Sequence, residues 1–395
     1  MLETIEKTEY KKGYKKTKLG WIPEDWEVVK SGKLFHNYSK KNNKQEELLS
    51  VTQDKGVIPR LMVEARIAMP EGSTSSYKLV EKGDFVISLR SFQGGIEYSE
   101  YRGVVSPAYT ILKRNLAISD GYYKQWFKSS EFIARLGVAI IGIRDGKQIS
   151  YEDFSMLPIC YPPLKEQEKI AEILSAWDDG IETLEKLIEQ KEILKKATMQ
   201  KLFLEKESWK MMRFDKIFKD FCKKNCPRER LLSATQENGV IPRDMLSGKV
   251  MSPEGSLNGY KLIEAGDFVI SLRSFQGGLE YSKYRGILSP AYTVLKNIID
   301  IDKDFYRHFF KSYKFIEKYL SISVIGIRDG KQISYSDLSS VKIPYPPLEE
   351  QEKIGKILNC YDEEFQLLNS KLEKLKEQKK GLMQKLLTGQ IRVKV

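Results

Sequence analysis

The sequence predicts two copies of a sheet-rich, mixed α/β domain, each followed by a long helix, with the two helices paired as an antiparallel coiled coil. Three features of the 395 residues support this fold class. The whole chain is an internal duplication. Each copy begins with short apolar runs between turn residues, and each ends in a long segment with apolar residues in steps of three and four.

The duplication is visible as long strings that return at a fixed spacing. LLSVTQDKGVIPR at Leu48 returns as LLSATQENGVIPR at Leu231, 183 residues later, and GDFVISLRSFQGG returns at the same offset. After a one-residue insertion the offset becomes 184, and IRDGKQISY follows it from Ile143 to Ile327. Solenoid repeats have periods of about 20 to 50 residues. A period this long therefore indicates two duplicated domains.

Within each copy, runs such as DFVISL and YTILK, separated by Gly, Pro, Asp and Asn, predict short strands. An aromatic segment at 121–137, which recurs from Asp304, predicts a helix whose rings pack in the core rather than stack on bases. We expect five parts: an N-terminal segment (1–25), a first domain (26–160), a first helix (161–205), a second domain (206–344) and a second helix with a tail (345–395).

Each helical segment follows a Pro-Pro breaker and carries one narrow apolar seam. A helix of about 38 residues spans roughly 57 Å at 1.5 Å per residue. Because the first helix leads from the first domain to the second, the second helix must run back along it to bury its seam, which makes the pair antiparallel and pseudo-twofold. The seam positions are Ile170, Ile173, Trp177, Ile181, Leu184, Ile188, Leu194, Thr198 and Leu202, then Ile354, Ile357, Tyr361, Phe365, Leu368, Leu372, Leu375, Leu382 and Leu386.

The chain is basic, with 66 Lys and Arg against 54 Asp and Glu and a net charge of +12. This balance favours a polyanionic partner, with nucleic acid ahead of an anionic membrane surface. No apolar window approaches the roughly 18 residues of a membrane span, and the first residues lack the apolar stretch of a signal peptide, so we expect a soluble, cytoplasmic protein. Four cysteines and two histidines are too few and too scattered to predict a disulfide framework or a zinc site.

Four motifs in fixed order resemble the specificity subunit of type I restriction-modification systems, and the likeness covers nearly the entire chain. They are TKLGWIPEDWEVV before the first domain, PPLKEQEKIAEIL and PPLEEQEKIGKIL at the starts of the helices, and KGLMQKLLTGQIR near the end. The resemblance implies two target recognition domains that each read one half of a bipartite duplex DNA site. It also implies spacer helices that dock two methyltransferase subunits, with a motor-nuclease subunit as a possible further partner.

The family usually carries two dissimilar recognition domains, whereas the two domains here share their best motifs. We therefore expect a palindromic or nearly palindromic site, with room for unequal half-sites at one or two positions. If the coil lies along the DNA, the two sets of contacts are centred within roughly 17 base pairs of each other, given helices of about 57 Å. The target bases themselves are not predicted.

Two repeated loops offer the side chains that read base edges, chiefly Arg for guanine and Gln for adenine. In both, the alternative is that the polar groups pair within the protein and the glycines only shape the fold. GVIPR contributes two further candidate arginines. The candidate DNA contacts are Arg90, Ser91, Gln93, Arg273, Ser274 and Gln276 from SLRSFQGG, Arg144, Lys147, Gln148, Arg328, Lys331 and Gln332 from IRDGKQIS, and Arg60 and Arg243 from GVIPR.

The sequence lacks the motifs of a catalytic chain. There is no Asn/Asp-Pro-Pro-aromatic loop of an amino-methyltransferase, and GIRDGKQIS lacks the spacing and hydroxyl of a phosphate-binding loop. We therefore expect a non-catalytic chain without its own cofactor, with S-adenosylmethionine, ATP and magnesium bound by partner subunits. Two alternatives stay open: a stand-alone nuclease or methyltransferase, and a free-standing DNA-binding regulator without methyltransferase partners.

Overall fold

The computed structural model describes residues 12–63, 74–139, 149–246, 256–272, 274–320 and 333–395. The chain forms two compact units. Unit 1 combines Met1–Leu184 with Lys371–Val395, and unit 2 is the continuous segment Glu185–Ser370. Each unit thus contains one sheet-rich domain and parts of both long helices.

Unit 1 contains twelve of the described strands and the start of the first long helix. Its strands are β1 (Tyr14–Thr17), β2 (Gly20–Pro23), β3 (Glu27–Lys30), β4 (Phe35–Tyr38), β5 (Leu49–Thr52), β6 (Gly56–Pro59), β7 (Lys78–Val80), β8 (Phe85–Ile87), β9 (Glu97–Tyr98), β10 (Gly103–Val105), β11 (Thr110–Arg114) and β12 (Pro158–Tyr161). Its helices are α1 (Ser31–Leu34), α2 (Ser91–Gly94), α3 (Asp120–Trp126), α4 (Ser130–Ala139), α5 (Tyr151–Met156) and the first half of α6 (Leu164–Leu202).

Unit 2 repeats this order of elements from Trp209 onward. Its strands are β13 (Lys210–Arg213), β14 (Phe218–Phe221), β15 (Leu232–Thr235), β16 (Gly239–Pro242), β17 (Lys261–Ile263), β18 (Phe268–Ile270), β19 (Glu280–Tyr281), β20 (Gly286–Leu288), β21 (Thr293–Asn297) and β22 (Lys342–Tyr345). Its helices are α7 (Ser274–Gly277), α8 (Lys303–Phe309), a π-helical turn (Phe315–Leu320), α9 (Tyr335–Ser339) and the first half of α10 (Leu348–Leu387).

The main sheet of each domain has four antiparallel strands. In unit 1 the order is β4-β11-β8-β9, and in unit 2 it is β14-β21-β18-β19. A separate hairpin, β5–β6 in unit 1 and β15–β16 in unit 2, is joined to this sheet by single bridges, Val57 to Ser99 and Val240 to Ser282. The equal order confirms that the duplicated sequence folds twice in the same way.

The aromatic segment predicted as core packing is buried. Tyr122, Tyr123, Trp126, Phe127 and Phe132 are at most 1% exposed and share one cluster with residues of the main sheet and both long helices. The predicted single helix is broken into α3 and α4. The matching rings of unit 2 are equally buried. These rings hold the domain on the helices and are not available for base stacking.

The long helices α6 and α10 have 39 and 40 residues, close to the predicted length. In unit 2, Lys191 of α6 pairs with Glu364 of α10 at 2.7 Å, and Lys195 pairs with Asp362. Residue numbers rise along one helix as they fall along the other, so the helices run antiparallel there. In unit 1, Asp178 pairs with Lys379. The antiparallel coiled coil is confirmed.

Two predicted seam positions are wrong. Leu194 is 49% exposed and Ile357 is 44% exposed, whereas Leu174 and Leu358, which the seam did not include, are fully buried. For Leu174, Leu358 and Ile357 the physical reason lies in what the N-terminal turns of each helix contact. Leu174 and Leu358 belong to the cores of the sheet-rich domains, so the apolar face here is set by domain packing as well as by the partner helix.

The Glu-Gln pair of each PPLxEQ motif ties a helix start to its domain. Buried Glu166 accepts a hydrogen bond from Trp26 Nε1 at 2.8 Å and from Arg392 Nε at 2.8 Å. The Gln167 amide donates to the Pro162 carbonyl oxygen and accepts from the backbone N–H of Ser119. The motif therefore fixes the domain, the helix and the segment after α10 to one another.

The lysine-rich segment 12–18 contributes to a hairpin. β1 and β2 form a hairpin, and Lys15 Nζ donates to the Glu24 carbonyl oxygen at 2.8 Å. The Tyr14 hydroxyl donates to the Gly389 carbonyl oxygen at 2.9 Å. This hairpin belongs to unit 1. No helix within the described ranges has an apolar stretch long enough to cross a lipid bilayer.

Candidate nucleic-acid interface

The SLRSFQGG loop forms a short exposed turn at the end of β8. The Ser91 hydroxyl is 1% exposed and accepts a hydrogen bond from the Ser88 backbone N–H at 2.8 Å, and Ser274 does the same for Ser271 in unit 2. Both serines, predicted as DNA contacts, are thus buried and hold the turn. Arg90 and Gln93 lie on its exposed side.

The side chains of Arg90, Gln93 and Gln276 are exposed, and none makes a hydrogen bond or ion pair with another residue of the described ranges. An exposed guanidinium beside an exposed amide supplies the donors and acceptors that base edges require. Arg273 itself lies outside the described residues. These side chains can meet a ligand without first breaking a contact seen within the protein.

The paired glycines serve the packing of the protein itself. Gly95 has φ +82°, and a Cβ there would lie 2.0 Å from the Phe127 carbonyl oxygen, while a Cβ on Gly94 would lie 2.7 Å from Gln53 Nε2. Close contact between three parts of the domain therefore requires glycine at both positions.

One lysine fastens the turn to the neighbouring hairpin. Lys128 Nζ donates to the carbonyl oxygens of Gln53 at 3.0 Å and Gly94 at 2.9 Å, and it forms an ion pair with Glu97 at 2.5 Å. Glu97 is 1% exposed, and its burial raises the pKa of this carboxyl to about 7 even though Lys128 opposes the shift. Lys128 therefore holds α2, the β5–β6 tip and β9 in one arrangement.

Unit 2 repeats this fastening with the equivalent residues. Lys311 Nζ donates to the carbonyl oxygens of Gln236 at 3.2 Å and Gly277 at 2.9 Å, and it pairs with Glu280 at 2.7 Å. Burial raises the pKa of Glu280 as well. Sequence reasoning missed both lysine–glutamate pairs, although each recurs at the 183-residue offset.

The hairpin tip lies against the turn. Gln53 Nε2 donates to the Arg90 carbonyl oxygen at 3.3 Å, and the Thr52 hydroxyl accepts from the Lys55 backbone N–H at 3.1 Å. Residues 53–55 and 236–238 are exposed in their respective units. In unit 2 the tip and the turn border a cleft of about 480 Å³, whose lining residues are Ala234, Thr235, Gln236, Glu237, Ser271, Leu272 and Tyr292.

The two GVIPR arginines lie at the other end of the hairpin and are half-buried. Arg243 Nε donates to the Ser233 hydroxyl at 3.1 Å. In unit 1 the equivalent Arg60 Nε and Nη1 are buried without a hydrogen-bond partner among the described residues, as is the Ser50 hydroxyl. Each arginine therefore has part of its guanidinium turned into the protein.

The IRDGKQIS candidates Arg144, Lys147, Gln148, Arg328, Lys331 and Gln332 lie outside the described residues. Their flanks are anchored. Ile149 is 2% exposed within the core, and Ser150 begins α5 by accepting a hydrogen bond from the Asp153 backbone N–H. In unit 2, Ser334 and Asp337 form a reciprocal capping box at α9. No group of three or more His, Cys, Asp or Glu suited to a metal ion occurs in the ranges described above.

Both copies of the repeat match one known protein family. The family profile for the type I restriction modification DNA specificity domain matches residues 23–193 and matches again at residues 206–377. The chain belongs to the type I restriction-modification DNA specificity family. The two matches fall on the two copies of the repeat, so the duplication is of whole specificity domains.

Relatives align with this specificity subunit along almost its full length. The chain is 27% identical to the putative type I restriction enzyme MjaX specificity subunit of Methanocaldococcus jannaschii, over 96% of this chain and 97% of that one. It is 29% identical to the MjaVIII specificity subunit of the same organism, over 94% of both. Both alignments therefore extend through the two copies of the repeat.

Solved structures share the fold. A chain from work on complex assembly and conformational transition of the type I R-M system superposes with a TM-score of 0.59 at 15% identity, covering 94% of this chain and 99% of that one. The type I S subunit from M. genitalium superposes with a TM-score of 0.51 at 17% identity, covering 91% and 96%. At such identities the likeness concerns the fold alone.

Proposed function

We propose that this chain is a non-catalytic subunit that reads a bipartite duplex DNA site, with one half-site for each sheet-rich domain. The observation that carries the proposal is that the SLRSFQGG turn, with the lysine that binds it, occurs in both domains. The same SLRSFQGG sequence follows the same strand in each domain, and the same type of lysine–glutamate pair holds it. Two nearly equal reading surfaces favour two half-sites that match, or nearly match, in inverted orientation.

In this proposal Arg90 and Gln93 contact base edges in one half-site, and Arg273 and Gln276 do so in the other. Arginine is the usual partner of guanine, and an amide is the usual partner of adenine. Ser91 and Ser274 position the turn. From the second loop, Gln148 and Gln332 with Arg144 and Arg328 join the base contacts, while Lys147 and Lys331 bind phosphate. Arg60 and Arg243, which are half-buried, are further contributors.

We propose that the long helices dock two methyltransferase subunits, with motor-nuclease subunits joining when the complex cleaves DNA. Within unit 2 these helices expose large apolar side chains, including Ile193 at 60% and Leu367 at 72%. Exposed apolar residues on a long helix are typical of a surface that a partner covers. S-adenosylmethionine, ATP and magnesium bind to those partners in this proposal.

The test is co-expression of the full chain with a cognate methyltransferase, followed by single-molecule sequencing of methylated adenines in the host genome. We expect one bipartite motif whose inverted halves match at all or nearly all positions. Gln93→Ala and Gln276→Ala form a matched pair, and each is expected to relax the motif in one half only. Two unrelated half-sites would contradict the palindromic proposal.

A free-standing DNA-binding regulator is the second candidate, favoured by the net charge of +12. Purified chain separates the two functions. A regulator binds one duplex sequence tightly and does not associate with a methyltransferase, whereas a specificity subunit forms a complex with it. Absence of methylation in the genome together with tight binding by the isolated chain would favour the regulator.

A further inference from the structure

The duplication provides an internal comparison of two almost equal reading surfaces. The turn sequence SLRSFQGG is identical in the two domains. The neighbouring hairpin segments, 48–60 and 231–243, differ at three positions: Val51 is replaced by Ala234, Asp54 by Glu237 and Lys55 by Asn238. Any difference in readout that arises at this turn and hairpin must come from these three positions.

Two of the three differences preserve the chemistry of the surface. Val51 and Ala234 are apolar and partly buried against the small apolar clusters beneath the hairpins. Asp54 and Glu237 are both exposed carboxylates. Lys55 and Asn238 differ in kind, because an ammonium group only donates hydrogen bonds whereas a carboxamide donates and accepts.

The backbone presents these two side chains from the same place. The backbone N–H of Lys55 donates to the Thr52 hydroxyl at 3.1 Å, and that of Asn238 donates to the Thr235 hydroxyl at 3.1 Å. The next residue is a glycine in the left-handed region in each case, Gly56 at φ +71° and Gly239 at φ +68°. The two tips therefore have the same backbone conformation and differ in the group that they carry.

The tip is also fixed beside the proposed reading turn. Lys128 holds the Gln53 carbonyl oxygen and Lys311 holds the Gln236 carbonyl oxygen, each within two residues of the differing side chain. In unit 2 the adjoining residues Gln236 and Glu237 border the cleft next to α7. The tip and the turn therefore belong to one exposed surface in each unit.

We propose that Lys55 and Asn238 are specificity-determining residues, which make the two half-sites differ at one base pair within otherwise matching inverted halves. Lys55 takes guanine, whose major-groove edge offers only the acceptors O6 and N7, and Asn238 takes adenine through N6 and N7. This inference rests on the proposed function. It turns a nearly palindromic site into a site with one defined break in symmetry.

The test exchanges the two residues in the full chain, co-expressed with its methyltransferase, and maps methylated motifs by single-molecule sequencing. Lys55→Asn is expected to change guanine to adenine in one half and so make the motif symmetric. Asn238→Lys is expected to give the reciprocal change, and the double exchange moves the asymmetry to the other half. Asp54→Glu, the matched control at the neighbouring position, is expected to leave the motif unchanged.

Binding of the purified variant complexes to the asymmetric and the symmetric duplex gives a second readout. Each exchange is expected to shift the preference between the two duplexes by about tenfold to a hundredfold. An unchanged motif or an unchanged preference in Lys55→Asn and Asn238→Lys overturns the inference, including the case in which Lys55→Asn only weakens the salt dependence, as for a phosphate contact. A wild-type chain that directs no bipartite motif would instead contradict the proposed function.

Discussion

In each unit, a glutamate at the start of a long helix joins that helix to its sheet-rich domain, and the cation that binds this glutamate comes from a different part of the chain in each unit. We call this contact the junction. In unit 1, Glu166 is 1% exposed and is bound by Trp26 and by Arg392, which also pairs with Asp25. In unit 2, the equivalent Glu350 is bound by Trp209 at 2.9 Å and by Lys206, and its side chain is 22% exposed. Both junctions bind the glutamate with a tryptophan and a cation. They differ in the segment that supplies the cation and in how deeply the glutamate is buried.

The largest expected effect comes from a feature that the units share. Leu174→Ala and Leu358→Ala each remove a fully buried side chain between a long helix and its domain. We expect each to lower the free energy of unfolding by about 2–5 kcal/mol, through lost burial and a cavity. Denaturant unfolding measures the loss, and hydrogen exchange assigns it to one unit. Leu367→Ala, at a side chain that is 72% exposed, is the control and is expected to change stability by less than about 0.5 kcal/mol.

The next effect concerns pH and Glu97. Its pKa is raised from 4.5 to about 7, chiefly by burial, so the folded state holds the proton more tightly than the unfolded state between these values. The stability that protonated Glu97 contributes is therefore fully present below pH 4.5 and is lost as the pH rises through 7. Relative to Glu97→Gln, the wild-type chain is expected to lose on the order of 1–3 kcal/mol of stability across this window.

Urea unfolding of both chains between pH 4.5 and pH 8 measures this difference. Glu280→Gln supplies the matched variant in unit 2, where the pKa of Glu280 is also raised, and the same sign is expected. A difference between wild type and Glu97→Gln that does not vary with pH would contradict the assignment. The same measurements compare the Lys128–Glu97 pair with the Lys311–Glu280 pair.

The junction itself is tested by removing its cations. Arg392→Ala leaves the buried Glu166 carboxylate with only part of its hydrogen bonding, and we expect a loss of about 1–3 kcal/mol. Lys206→Ala is expected to cost less than about 1 kcal/mol, because Lys206 is 57% exposed and its ion pair is screened by solvent. Thermal unfolding at low and high salt compares them. An equal loss of stability in the two variants would show that burial of the glutamate does not set the cost of removing its cation.

The smallest effect expected near neutral pH comes from a position at which the units differ. Gln125 Nε2 donates to Asp178 in unit 1, whereas unit 2 has His308, which hydrogen-bonds to Asn359 at 2.9 Å and lies near Arg307 and Asp362. Burial, followed by the charge of Arg307, lowers the pKa of His308 to about 4. The stability that neutral His308 contributes is therefore present above pH 6.5 and is lost as the pH falls through 4.

His308→Gln makes unit 2 resemble unit 1 at this position. At pH 7.5 we expect a stability change below about 1 kcal/mol, because an amide can replace one neutral hydrogen bond. Between pH 6.5 and pH 4 the variant is expected to gain on the wild-type chain, the opposite sign to the Glu97 effect. Denaturant midpoints over that pH range measure this, and a variant that loses stability faster in acid than wild type would contradict it.

The fold was predictable because each pattern in the sequence reports a local physical preference. Identical strings 183 residues apart must form equal domains, and the narrow apolar seam must find a partner helix. The errors arose where a residue contacts something distant in sequence. Leu358 is buried by the domain beneath it, so no helical period could separate it from exposed Ile357.

The candidate site was predictable only in part. Arg90 and Gln93 are exposed on the turn as expected, but Ser91 and the glycines after Gln93 serve the internal packing of the turn. The Lys128–Glu97 pair went unnoticed because the partners are 31 residues apart and lie in different elements. A buried ion pair has no signature in composition, and only its recurrence at Lys311 and Glu280 could have indicated it.

The division of the chain into units also orders its biosynthesis. Unit 2 is one continuous stretch, whereas unit 1 needs residues 371–395, which the ribosome makes after all of unit 2. At roughly 5–20 residues per second, the first domain emerges well before the segment that supplies Arg392 to its Glu166. A chain that stops at residue 370 contains all of unit 2 but only part of unit 1. Completion of unit 1 therefore reports that synthesis has reached Arg392.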